Sequence, residues 1–165
     1  MVCTGVTEPH AGLNTPTIET TAERDGDEYV INGQKIWTSK AQEADVIMLL
    51  TRTEPYDPDN RFDGMTLFFT EFDTDMDGVT VQEIPKAARG ASESNEVWFE
   101  DVRVPAADVV GEEGRGFKYL LSFANAERVN VAANCVGVGL AALDKAAAYA
   151  NEREVFGNAI GSYQG

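Results

Sequence analysis

The chain is poor in the residues that most often carry metal, disulfide or nucleophilic chemistry. Its 165 residues include a single histidine, His10, and two cysteines, Cys3 and Cys135. One imidazole cannot assemble a histidine-based metal cluster or a serine–histidine dyad, and His10 reads as a loop residue. Two isolated cysteines have neither metal-ligand spacing nor the density of a secreted scaffold, which fits a reducing, cytoplasmic setting. Basic residues are scarce too, with 13 Lys and Arg against 28 Asp and Glu. Without a basic stripe to displace counterions, nucleic acid is excluded as a partner. No uninterrupted apolar run reaches membrane-spanning length, so no membrane span is expected. The opening Met1-Val2-Cys3-Thr4-Gly5 lacks a basic region followed by an apolar stretch, so no signal peptide is expected.

What is abundant is acid. The formal charge of −15 is scattered through Glu8, Glu19, Asp25, Asp45, Asp57, Asp73, Glu93, Glu112 and Glu152 rather than gathered in a tail. Such a surface keeps a protein soluble but repels itself, and salt relieves the repulsion. This points to a high-salt cytoplasm, with an ordinary acidic protein as the alternative. The thermal midpoint is therefore expected to climb with KCl up to roughly 1 M, where the Debye length is about 3 Å. A melting scan that is flat from low to molar salt would remove the high-salt reading.

Length and the 43% apolar content allow one sizeable core and one domain or slightly more. The pattern changes near residue 115. Before it, Thr17–Ala22 alternates polar and apolar residues, Asp25-Gly26 turns the chain into Glu28–Ile31, and Asn32-Gly33 turns it again into Gln34–Trp37. Both dipeptides are strong hairpin signals between alternating runs. Further strands are expected at Val46–Leu50, Met65–Phe69, Val79–Val81 and Asn95–Phe99, with Glu54–Gly64 as a solvent loop. The fold class expected is α+β: an antiparallel β-barrel or orthogonal sandwich over residues 1–113, followed by a long α-helix within 114–165.

In that second part Val129, Ala132, Val136, Leu140, Leu143, Ala147 and Ala150 recur at steps of 3 and 4. That is one face of a helix, with Asn125 available to cap its start and Gly157 following its end. Nothing else in the chain can cover such a stripe. A fragment, or a helix docked on another subunit, is expected.

Two motif matches carry less than they suggest. Asp73-Thr74-Asp75-Met76-Asp77-Gly78 copies half of a calcium loop, but Ile84 stands where a bidentate Glu is required, so it reads as a solvated acidic turn. Gly137-Val138-Gly139-Leu140-Ala141-Ala142 spells a dinucleotide fingerprint in mid-helix without a preceding strand, so close helix packing is the better reading. Trp98, alternating with polar neighbours, reads as core.

Two segments remain that suit a planar, phosphate-bearing cofactor. Val6-Thr7-Glu8-Pro9-His10-Ala11-Gly12 is a tight, acid-containing loop with backbone amides able to meet an anion. Gln34-Lys35-Ile36-Trp37-Thr38-Ser39 is a strand ending on one aromatic plane and two hydroxyls. On its own, an aromatic at a strand end is more often core than cofactor wall.

Taken in order, these segments resemble the flavin loop and ring-flanking strand of the acyl-CoA dehydrogenase family. Phe99–Pro105 resembles the exit strand of that family's middle β-domain, and Gly114-Arg115-Gly116-Phe117 the entry to its C-terminal helices. Arg153-x-x-Phe156-Gly157 followed by Gln164 resembles its segment that crosses a subunit interface to the cofactor. The resemblance implies FAD. Val6 and Thr7 would meet the flavin pyrimidine edge, and Trp37, Thr38 and Ser39 would lie beside the ring. Arg153 and Gln164 would reach the pyrophosphate and adenosine. Leu13 stands where the family often has a Ser that contacts FAD or substrate, and Val155 where it often has a hydroxyl.

The resemblance further implies an acyl-CoA substrate, an electron-transfer flavoprotein as acceptor, and a homotetramer or homodimer. Chemistry of this class needs a carboxylate to remove the proton α to a thioester. Most members carry it beyond the stretch matched here, whereas the isovaleryl-CoA and long-chain types place it in a Glu-Arg pair. Ala126-Glu127-Arg128 matches that pair, which makes Glu127 the candidate base and Asn125 and Arg128 its substrate-side neighbours. The competing reading of Glu127 is a first-turn acid that complements the helix dipole. An acyl-CoA oxidase or an inactive fragment remains as the alternative function.

Overall fold

The computed structural model of the chain describes residues 1–87 and 92–164. Strands β1 (Val2–Gly5), β2 (Thr21–Asp25), β3 (Glu28–Ser39), β4 (Val46–Arg52), β5 (Met65–Glu71), β6 (Val79–Glu83) and β7 (Ser94–Pro105) form one sheet, ordered β1-β4-β2-β3-β7-β6 with β5 also on β4. The sheet is mixed rather than wholly antiparallel. β1 runs parallel to β4 from Val2↔Val46 to Gly5↔Leu49, and β2 meets β4 in parallel at Thr21↔Arg52. Neither pair is joined by a hairpin, so nothing forces opposite directions.

The Asp25-Gly26 turn forms as expected, pairing Asp25 with Glu28 and Ala22 with Ile31. Asn32-Gly33 does not turn. β3 runs straight through it and bulges against β7 between Ile31 and Gly33. Gly33 has φ +148°, and a Cβ there would sit 2.6 Å from Thr20 Cα. The glycine serves a close backbone approach rather than a reversal. Asn32 is occupied across the bulge, where its amide donates to Asp101 Oδ1 (3.0 Å) and its Oδ1 accepts from the Asp101 backbone N–H (2.9 Å). The strand expected from Thr17 begins only at Thr21, because Pro16 starts a single 3₁₀ turn over Thr15–Thr17.

Two apolar clusters hold this part together. The larger combines Cys3, Tyr29, Ile31, Ile47, Leu49, Phe68, Phe72, Val97, Phe99, Val102 and Val104. Tyr29 meets Phe68 edge-on at 5.1 Å. Each of these large side chains contributes about 1.5–3 kcal/mol by leaving water. The smaller cluster joins Ala11, Ile18, Leu50, Met65, Leu67 and Leu120, with Val6 and Phe117 packed against it. It underlies the Val6–Gly12 loop. Trp98 is corrected from core to half-buried: Val97 and Phe99 take the inward positions of β7, and alternation turns Trp98 the other way.

Helix α1 covers Gly116–Glu152. It starts well before Asn125, which is therefore not its cap, and Glu127 is not in its first turn. The polar residues Ser122 and Asn125 interrupt the apolar pattern and disguise the true start. Gly157 does not cap the helix end either. It sits with Phe156 at the tip of a hairpin between β8 (Glu154–Val155) and β9 (Asn158–Ala159), where both have positive φ (53° and 79°). Two left-handed residues in succession are what a type I′ turn requires.

The chain divides into two compact units, Met1–Leu121 and Ser122–Gly165. Within the second, the expected stripe is present and exposed, with Val129 72% accessible. It is not alone. Val131, Val138 and Tyr149 fall on the opposite side and are exposed too, Val138 to 63%. A helix apolar on two sides is built to be covered on both. By length and composition alone α1 is long and apolar enough to cross a membrane, which leaves the expected absence of a span without support from the fold. Its polar residues break any uninterrupted run while leaving the segment apolar on the whole.

Candidate functional site

The loop after β1 is organised by a buried carboxylate. Glu8 accepts hydrogen bonds from the backbone N–H of Glu19 (2.6 Å) and of Thr20 (3.0 Å), and from Lys35 Nζ at 2.7 Å. Lys35 is fully buried and also donates to the Val6 carbonyl (3.2 Å). One residue along β3, the Ile36 N–H donates to the Thr7 carbonyl at 2.8 Å. Glu8 and Ala11 close the loop with a mutual pair of backbone hydrogen bonds. Burial pushes the Glu8 carboxyl up, but the Lys35 charge and the two amides outweigh it and hold the group below its usual range. Burial pulls Lys35 down to about 8, and Glu8 offsets only part of that.

This pair was hidden in the sequence, where Glu8 counts among the scattered surface acids. A signal existed, because Lys35 shares the parity of Tyr29 and Ile31, the inward positions of β3.

Two residues beyond Lys35, Trp37 sits in left-handed backbone (φ 63°) at a register shift between β3 and β7. Such a conformation costs a non-glycine residue roughly 1–2 kcal/mol and persists where surrounding contacts over-determine it. The indole is 55% exposed, and Ser39, two residues on, is exposed as well. Thr38 between them faces inward. It is fully buried, and its hydroxyl has no hydrogen-bond partner. Its carbonyl accepts from Asn95 Nδ2 (3.0 Å), whose Oδ1 in turn accepts from Gln42 Nε2 (2.9 Å). The Thr7–Ile36 bond thus holds the Val6–Thr7 edge against the strand position just before Trp37, whereas the Thr38 side chain is turned inward.

Leu13 is fully exposed on the loop that follows. That loop is held by Arg52, a buried guanidinium that donates to the carbonyls of Pro16 (2.6 Å) and Ile18 (3.2 Å). A separate cavity of about 540 Å³ is lined by Glu8, His10, Glu19, Gln34, Trp98 and Glu100. Three carboxylates in its wall make it a poor seat for a phosphate.

Within Ser122–Gly165, Asn125, Glu127 and Arg128 are exposed on α1, and Arg128 Nη1 donates to Asn125 Oδ1 at 3.2 Å. Arg153 follows the last helical residue. Its N–H donates to the Tyr149 carbonyl (2.9 Å) and its carbonyl accepts from the Ile160 N–H (2.8 Å). The backbone is fixed while the guanidinium stays exposed, an arrangement suited to phosphate oxygens. Phe156 at the hairpin tip is 93% exposed, and Gln164 is exposed at positive φ. Among the described residues no group of three or more His, Cys, Asp or Glu could hold a metal ion.

The exposed, conformationally constrained indole beside a fixed loop edge presents a broad aromatic face to solvent. Residues 3–102 match the family model described as acyl-CoA dehydrogenase, middle domain, and residues 114–165 the acyl-CoA dehydrogenase, C-terminal domain. The chain is 39% identical over 163 residues to the protein named "Probable acyl-CoA dehydrogenase YngJ" of Bacillus subtilis (strain 168), covering 97% of this chain and 41% of the relative. Among solved structures, one described as "a probable acyl CoA dehydrogenase from Mycobacterium abscessus" superposes with a TM-score of 0.91 at 34% identity, over 99% of this chain and 42% of the other. A glutaryl-CoA dehydrogenase from Mycobacterium smegmatis in complex with FADH2 does so with a TM-score of 0.87 at 32% identity, over 99% and 40%. The chain thus spans about two fifths of the length of the proteins it matches. By sequence and by fold, it belongs to the acyl-CoA dehydrogenase family.

Proposed function

We propose that the full-length protein dehydrogenates an acyl-CoA thioester between its α and β carbons, with residues 1–113 as the middle β-domain and 114–165 as the start of the helical domain. The observation that carries this reading is Trp37, exposed in left-handed backbone one residue beyond the Ile36–Thr7 bond. FAD, when bound, supplies the acceptor for the hydride that leaves the β-carbon. Val6 and Thr7 hydrogen-bond the ring edge through the loop backbone and the Thr7 hydroxyl. Trp37 would lie beside the ring, and Ser39 would offer its exposed hydroxyl to it. Thr38 acts by shaping the strand, since its side chain faces inward.

Arg153 and Gln164 hold the pyrophosphate and adenosine portion, reached across the interface of a homodimer or homotetramer. Glu127 takes the α-proton, and Arg128, Asn125 and Leu13 contact the substrate. An electron-transfer flavoprotein would be the electron acceptor, and the cytoplasm the compartment.

The test is direct. Purified full-length protein should be yellow, and an anaerobic acyl-CoA addition should bleach it. Protein that stays colourless after incubation with FAD contradicts the reading. Reduced flavin that reoxidises in air as fast as it can be mixed would replace the dehydrogenase with an oxidase.

A further inference from the structure

We propose that the buried Glu8–Lys35 pair is a positioning element that sets the Val6–Thr7 edge and the Trp37 segment in register for the flavin, an inference that rests on the flavin reading above. Three separate segments converge on these two side chains. Glu8 gathers the amides that precede β2, and Lys35 reaches back from β3 to the Val6 carbonyl. The Ile36–Thr7 bond lies between Lys35 and Trp37. Left-handed backbone at Trp37 survives only if its surroundings dictate it, and the Lys35 anchor two residues away supplies that constraint on the loop side.

A buried ion pair is weak evidence for stability, because apolar residues of similar volume often replace one without loss. What such residues cannot replace is the set of directed bonds. Stability and flavin affinity should therefore separate. Glu8→Gln should still fold, since a Lys35 already drawn down to about 8 can shed its proton rather than stay charged beside a neutral amide.

The experiment measures the FAD dissociation constant and the apoprotein thermal midpoint for full-length wild type, Glu8→Gln and the Glu8→Leu/Lys35→Met double variant. Glu8→Gln should weaken FAD about tenfold or more, by analogy with the roughly 10–100-fold loss when a group that orients a metal ligand is removed. The double variant should regain most of the thermal midpoint and remain weak for FAD. Affinity within about twofold of wild type in Glu8→Gln, or affinity that recovers together with the midpoint, overturns the proposal. If the double variant does not fold, Glu8→Gln decides alone. Wild-type protein that never takes up FAD removes the flavin reading and this inference together, whereas tight FAD binding by both wild type and Glu8→Gln removes only the inference.

Discussion

Glu127→Gln in the full-length protein is expected to slow reduction of the flavin by acyl-CoA by ~10²–10⁴, the loss that follows removal of a general base. Glutamine keeps the shape and hydrogen-bonding reach of the side chain and loses only the capacity to take a proton. Binding of FAD and of acyl-CoA should be unchanged. The competing reading of this residue, an acid complementing the start of a helix, fails on position: α1 begins at Gly116, so Glu127 stands in mid-helix, where the dipole has little to act on. Stopped-flow mixing under anaerobic conditions reads the rate. Reduction at near wild-type speed would assign the base to another part of the protein and leave the cofactor assignment untouched.

Gly116→Ala is expected to lower unfolding stability by about 1–3 kcal/mol, toward the top of the range for overpacked sites. A Cβ at this position would lie 2.3 Å from the Leu67 backbone nitrogen and 2.6 Å from the Thr66 carbonyl carbon. Both are main-chain atoms of β5, which cannot rotate aside as a side chain can. The first turns of α1 would have to lift, uncovering Leu120 and the Phe117 ring stacked on Phe62 at 5.1 Å. Urea denaturation should show a lower midpoint with an unchanged slope, the signature of lost stability rather than an altered denatured state. A midpoint equal to wild type would mean that this close approach does not exist in solution.

Much of the strand pattern was legible because short-range chemistry decides it. Asp25-Gly26 needs only its own two residues to reverse the chain, and β4, β5 and β7 announce themselves through β-branched and aromatic runs. Asn32-Gly33 has the same chemistry but a different reason for its glycine, a contact with Thr20 across the sheet that no local rule contains. Parallel pairing of β1 with β4 is likewise a long-range choice. At the site, an aromatic and hydroxyls could be read from Trp37-Thr38-Ser39. Which of them faces outward depended on the bulge at Trp37. The Glu8–Lys35 pair is hard to read from sequence because charge is normally a surface signal, and only the strand parity of Lys35 contradicts that. The start of α1 is not legible locally, because Asn125 offers cap chemistry inside the helix while burial of Gly116 and Leu120 fixes the real start.

Apolar residues on both sides of α1 also constrain how the protein is made. A ribosome completes the β-rich unit first, and that unit already has two cores of its own. The helix then emerges with Val129, Val131, Val136, Val138, Leu140 and Leu143 in water. Until neighbours cover both flanks, the nascent chain carries a long greasy rod of the kind that holdase chaperones bind and that seeds inclusion bodies. Chaperone shortage should therefore depress soluble yield, read as the soluble fraction of the expressed protein.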